Sequence, residues 1–203
     1  MNRLILSFIF AVSSLNHLDV IAQEHAEAPT FVDGDFWQYR VLEHGEYMKT
    51  ERELNGIYEI AYSSGQLKAF KLETNQKNEL RAGAGVLIGL VGQSALQYLQ
   101  FPLFKGKSWT TDYTFRPRRR EVDHSVRSVT KVTDFVEVTI GAGTYRAFKL
   151  DRETRFKNVD QWIFVYYWSP QTKSVVKYQM EVLKGDAAGN KREIELIKFG
   201  SAR

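Results

Sequence analysis

The sequence predicts an all-β, mainly antiparallel domain: a curved sheet, half-barrel or two-sheet arrangement of about 9–10 strands built from a duplicated unit, with one short helix or flap around residues 86–99. Three observations point there. A hairpin pattern is written twice: residues 57–73 read IYEIAYSSGQLKAFKLE and residues 135–151 read FVEVTIGAGTYRAFKLD, aligned without a gap at an offset of 78 residues. Identities fall at Glu59/Glu137, Gly65/Gly143, Ala69/Ala147, Phe70/Phe148, Lys71/Lys149 and Leu72/Leu150. Both copies alternate at period two into a glycine-containing turn and out again, which is how a β-hairpin is encoded. A Gly-x-x-Trp opening precedes each copy, at Gly34 to Trp37 and at Gly106 to Trp109. Finally, period-two alternation recurs from Trp37 to Phe199, broken by turn residues at strand-sized intervals.

Taken in order, the chain begins with Arg3, an apolar run over residues 4–15 and then Val20, Ile21 and Ala22. The run has the length of a signal-peptide core rather than of a membrane span, and small or moderate residues flank a cleavage position after Ala22. Residues 1–22 therefore read as a secretory signal peptide, residues 23–32 as an exposed arm, and residues 33–203 as a single β-domain with pseudo-repeats over 33–100 and 101–200. The mature chain has no transmembrane segment. The sequence holds no cysteine, so the domain has no disulfide framework and no thiol for lipid attachment, and a periplasmic or secreted location follows. The formal net charge of +4 suits contact with anionic surfaces, while nucleic acid, which asks for concentrated basic and stacking residues, is not expected.

Asp33 and Gly34 mark a turn, after which Trp37, Tyr39 and Val41 share one strand face. Trp109, Thr111, Tyr113 and Phe115 do the same in the second opening. From Val122 the even positions carry the apolar residues and include His124, which reads as a core histidine, although parity can slip at a bulge over so long a run. Residues 161–168 (QWIFVYYW) are apolar on both faces, as in a central strand. A turn at Ser169 and Pro170 follows, then the inward row Val176, Tyr178, Met180 and Val182, a polar turn over residues 184–190, and a last strand over residues 193–199. The repeated glutamates fall on the mixed face of each hairpin and read as solvated or cross-strand-paired carboxylates.

Two stretches break the strand pattern. Residues 82–92 (AGAGVLIGLVG) carry four glycines; Leu87, Leu90, Val91 and Tyr98 keep a helical period, weakened by Gly89 and Gly92 at about 1 kcal/mol each. The segment reads as a plug over one opening of the sheet or as a hinged apolar lid over a ligand cavity. No Lys-Ser/Thr follows its glycines, so it is not a phosphate loop. Arg116, Arg118, Arg119 and Arg120 surround Pro117 in a loop whose guanidinium forks suit anion contact.

Further stretches, PL-x-x-G-x-x-W from Pro102 to Trp109, AGT-aromatic-x-A-x-K from Ala142 to Lys149, Tyr167-Trp168-Ser169-Pro170 and VVK from Val175 to Lys177, resemble a large family of bacterial exported β-proteins of unknown function, whose members share PL-x-x-G-x-x-W, AGT-aromatic-x-A-x-K, YW-x-SP and VVK in that order. The resemblance covers roughly residues 101–199 and implies export and a curved antiparallel sheet. It brings no catalytic residues. Relatives often carry a lipid-anchor cysteine, which this chain lacks.

The functional expectation is an exported, non-catalytic envelope protein that binds an apolar or amphipathic ligand or a partner protein. The aromatic excess carries it, with Trp37, Trp109, Leu87, Leu90, Tyr98 and Trp162 as candidate ligand contacts. A structural or adaptor module pairing through a sheet edge is the alternative. A hydrolase of envelope polymers is a further one, but Glu59, Glu137, Glu153, Asp160 and His124 show no catalytic spacing, and no catalytic residue, metal ligand or cofactor is assigned.

Overall fold

A computed structural model of the chain describes residues 24–47, 50–74, 99–115, 124–156 and 160–201. The expected signal peptide of residues 1–22, Leu87, Leu90 and Tyr98 of the Gly-rich segment, and Arg116, Arg118, Arg119 and Arg120 lie outside the described residues. No helix is found among the described residues. The strands are β1 (His25–Ala26), β2 (Asp35–Tyr47), β3 (Thr50–Ser63), β4 (Gln66–Thr74), β5 (Leu103–Phe104), β6 (Ser108–Phe115), β7 (His124–Ile140), β8 (Gly143–Phe156), β9 (Gln161–Ser169), β10 (Ser174–Lys184) and β11 (Lys191–Ser201).

Nine of them form one antiparallel sheet in the order β4-β3-β2-β11-β10-β9-β8-β7-β6. Two meanders, β2 to β4 and β6 to β11, are joined where the first long strand pairs with the last, with Val41 opposite Ile194 and Tyr39 opposite Leu196. The sheet ends at β4 and β6 and is not closed into a barrel. It is nevertheless curved, because the β7–β8 hairpin reaches β11, three strands from β8: Tyr145 packs edge-on against Phe199 at 5.8 Å, and the Gly141 amide donates to Glu195.

One face carries the core, in which Trp37, Tyr39, Val41, Ile60, Leu150, Tyr166, Trp168 and Leu196 are buried. A two-stranded ribbon of β1 and β5 contributes Ala26 and Leu103 to it, and Leu99 is buried alongside. The N-terminal arm is exposed at Glu24, His25, Glu27 and Ala28, but it is not loose. Ala26 is sealed into the core, Phe31 stands edge-on to Trp37 at 5.4 Å, and Glu24 pairs with Arg146. A two-residue strand between polar neighbours leaves too short a period to be seen in the sequence.

Both Gly-x-x-Trp openings have the same construction. Gly34 and Gly106 sit at φ 94° and 91°, where a side chain is strained, and their amides donate to the carbonyls of Tyr62 on β3 and Val132 on β7, the strands that pair with β2 and β6. The repeated segments both form hairpins, but they turn at different places. Ser64 and Gly65, at φ 52° and 74°, make a two-residue left-handed turn between Ser63 and Gln66. In the second copy the turn falls on Gly141 and Ala142, between Ile140 and Gly143. Phe70 accordingly pairs with Glu59, whereas its counterpart Phe148 pairs with Phe135. The register of β7 against β8 shifts at a bulge between Val132 and Asp134: even residues are buried from Val126 to Val132, and the alternation is interrupted over residues 133–136.

Candidate functional site: a polar patch in an aromatic face

In the strand β8 the residues sharing the core face are Phe148, Leu150, Arg152, Thr154 and Phe156. The cross-strand register sets Arg152 between Phe164 of β9 and Thr130 of β7, with Met180 and Trp109 at the ends of that row. The next row runs Val182, Trp162, Thr154, Ser128, Thr111. A cation and a run of hydroxyls thus interrupt an otherwise apolar surface.

The patch is deeply buried: Ser128, Thr130, Arg152 and Thr154 are each no more than 2% exposed. A buried polar group costs stability unless it finds partners, and here the partners are one another. The Ser128 and Thr154 hydroxyls lie 2.8 Å apart, and Arg152 Nε donates to Thr154 Oγ1 at 3.4 Å. The Tyr113 hydroxyl reaches both Ser128 and Arg152; burial pushes this phenol up, against the lowering pull of the guanidinium, so it stays a neutral O–H donor.

An aromatic row borders the patch. Trp162 lies 5.1 Å from Phe156 and 6.2 Å from Phe164, and Phe164 stacks on Tyr166 at 6.1 Å with 15° between the planes. The buried Trp162 Nε1 finds no acceptor among the described residues. A cleft of about 530 Å³ opens beside the patch, walled by Tyr113, Val126 and Phe156. Its rim is charged and self-paired: Arg127 grips Asp112 with bonds of 2.9 and 3.2 Å, and Arg155 Nε lies 2.6 Å from Glu153.

A second groove, of about 460 Å³, lies over Leu42, Ile163 and Val165. Among its lining charges Lys191 pairs with Glu181, and Glu193 pairs with the neighbouring Lys177, each at 3.5 Å. Such pairs contribute little.

The candidate contacts named from the sequence are divided by the fold. Trp109 and Trp162 flank the polar patch in adjacent rows. Trp37 stands elsewhere, at the end of the sheet where its Nε1 donates to the Thr172 carbonyl at 2.7 Å, and it is 2% exposed. Glu59 accepts a hydrogen bond from Gln38 at 2.8 Å, while Glu137 is exposed on β7, with five strands lying between β3 and β7 in the sheet order. Glu153 is held by Arg155 and Gln161, and His124 is half-buried at the start of β7. These side chains form no acid–base constellation, and among the described residues no three His, Asp or Glu side chains gather as a metal site. Arg152 went unnoticed in the sequence, although a cation in phase with Phe148, Leu150 and Phe156 was the signal for it.

No family model matches the chain, and no curated protein does. Among solved structures, the hypothetical lipoprotein YmcC from Escherichia coli (K12) is similar at a TM-score of 0.40 and 9% identity, over 86% of this chain and 92% of that one.

Proposed function

We propose that the protein is an exported, non-catalytic envelope component that holds an apolar or amphipathic ligand against the aromatic row of β8, β9 and β10. One observation carries this reading: Trp162, Phe164 and Phe156 lie on the core face in tilted ring-to-ring contact, yet remain partly exposed at one end of a sheet whose other end is sealed around Trp37 and Trp168. Partly exposed rings offer an apolar guest dispersion and area burial at about 25 cal/mol per Å². Export rests on the leader-like residues 1–22. No helix among the described residues is long and apolar enough to cross a membrane.

The test is native mass spectrometry of the mature protein after incubation with a bacterial lipid extract. A retained species of lipid mass is expected, lost in the Trp162→Ala, Phe164→Ala double variant. A protein that emerges unliganded from every extract fraction has no such function. A second reading, an adaptor that pairs through a sheet edge, draws on the open ends of the sheet at β4 and β6. Light scattering that rises to a dimer or higher mass with concentration, with no bound lipid, favours it.

A further inference from the structure

The two ends of the sheet are not equally protected. β4 meets β3 with a register break between Ile57 and Tyr58, and its sequence holds Lys68 and Lys71; breaks and lysines blunt an edge against further pairing. β6 pairs with β7 without a shift from Ser108 to Phe115, and its sequence SWTTDYTF holds neither proline nor lysine. We infer that β6 is a docking edge for a second copy of this chain, the two β6 strands pairing antiparallel about a twofold axis at Thr111 so that the sheets join into one. This inference is independent of the ligand-binding reading above, and it narrows the edge-pairing alternative to one strand and one partner.

The direction of the outer backbone groups follows from the turn before the strand. The Lys107 carbonyl accepts from the Val132 amide at 2.8 Å, so across the same trans peptide the Ser108 amide points the other way, toward the edge. In an extended strand the N–H and C=O of one residue share a side, and the side alternates along the chain. Trp109, Thr111, Tyr113 and Phe115 therefore serve the ladder with β7. Ser108, Thr110, Asp112 and Thr114 turn their backbone groups outward, where no strand meets them among the described residues, and their side chains are exposed. Only one twofold register matches all four with one another. It sets Thr111 opposite its own copy, Ser108 opposite Thr114 and Thr110 opposite Asp112, each of these latter pairs exchanging two backbone hydrogen bonds, while the Thr110 hydroxyl can donate to the facing carboxylate. Any shift leaves an outward residue of each strand unmatched, and the shift toward the C-terminal end of β6 sets Asp112 against Asp112 of the other copy, with like charges directly across. In the matched register the core faces of both copies stay on the same side of the joined sheet.

One strand pair makes a small interface, so the expected state is a monomer–dimer equilibrium, measured by sedimentation equilibrium of the lipid-free mature protein from about 10 μM to about 1 mM. Thr110→Pro removes an outward N–H at a position where an edge strand tolerates proline. It should keep the wild-type melting temperature and lower dimer affinity by about tenfold or more. Should that variant fail to fold, Thr110→Asp, an exposed change that sets carboxylates opposite one another in the dimer, should weaken it likewise. The chain has no cysteine, so one introduced thiol reports on register. Thr111→Cys should crosslink under mild oxidation at least about tenfold faster than Asp112→Cys, whose two copies stand too far apart to bridge. A protein that is monomeric at every concentration overturns both this inference and the edge-pairing reading. A dimer that persists unchanged in the folded Thr110 variant overturns the choice of β6 and spares edge pairing, and equal crosslinking of the two cysteine variants overturns the twofold register.

Discussion

Asp35 shows how a single side chain holds an element in place. Its carboxylate, 6% exposed, accepts from the Val32 amide at 3.0 Å and from Lys173 Nζ at 3.1 Å, fastening the first long strand to the β9–β10 turn. Burial pushes the acid up, but the Val32 amide, Lys173 and Ser201 together outweigh it and hold the carboxyl below its ordinary value of 3.8. A lowered folded-state value means the ionised form is favoured by folding. The contribution is present in full above that ordinary value and is lost as pH falls through the folded one. Thermal melts from pH 7 down to pH 2.5 should show an acid limb that is shallower in Asp35→Asn, and the variant should be less stable at pH 7 by about 1–3 kcal/mol. Parallel acid limbs in the two proteins would remove Asp35 from the account. The sequence places Asp35 beside a turn glycine, but its partner Lys173 is 138 residues distant, and no local pattern announces a pairing of that range.

At the level of elements, turns and bulges decide which residues meet, and they are the part least legible in advance. Alternation located nearly every long strand, because period two is a direct consequence of the pleat. The register was not legible: the Ser64-Gly65 and Gly141-Ala142 turns differ by one aligned position, and the bulge after Val132 resets β7. Turn glycines also differ in what they do. Gly189, at φ 89°, has open space around its Cβ position, whereas at Gly185, φ 110°, a Cβ would stand 1.7 Å from Asp160 Oδ1. Gly189→Ala should therefore cost only the backbone strain of a left-handed residue, about 1–2 kcal/mol. Gly185→Ala must in addition displace Asp160, whose carbonyl accepts from the Phe156 amide at the end of β8. Chemical denaturation should place Gly185→Ala below Gly189→Ala by at least about 1 kcal/mol. Equal losses would mean that Asp160 moves aside without consequence.

Across the whole molecule, what the sequence made legible was a class of fold and a surplus of aromatic residues; the place where that surplus is used depends on curvature. The register alone would allow a flat sheet, with β10 and β9 lying between β11 and β8 and the outer two never in contact. Contact between Tyr145 and Phe199, and the Gly141 amide on Glu195, show that the β7–β8 hairpin folds over. That closure seals the Trp37 and Trp168 end and leaves Trp162 and Phe164 at the other. The hairpin beyond the β7 bulge is also tied by Arg146 to Glu24 and by Phe148 to Trp168, so the clasp is one of several long-range contacts that hold it down. Removing the ring with Phe199→Ala, together with Glu195→Ala, should raise amide hydrogen exchange across residues 134–148 by tenfold or more. Protection in β9 and β10, whose ladders do not pass through the clasp, should remain. If exchange at the tip is unchanged, the curvature is built into the sheet by its twist and bulges alone. If protection falls uniformly over all strands, the hairpin is an inseparable part of one cooperative unit, and the sealed and open ends cannot be told apart by stability.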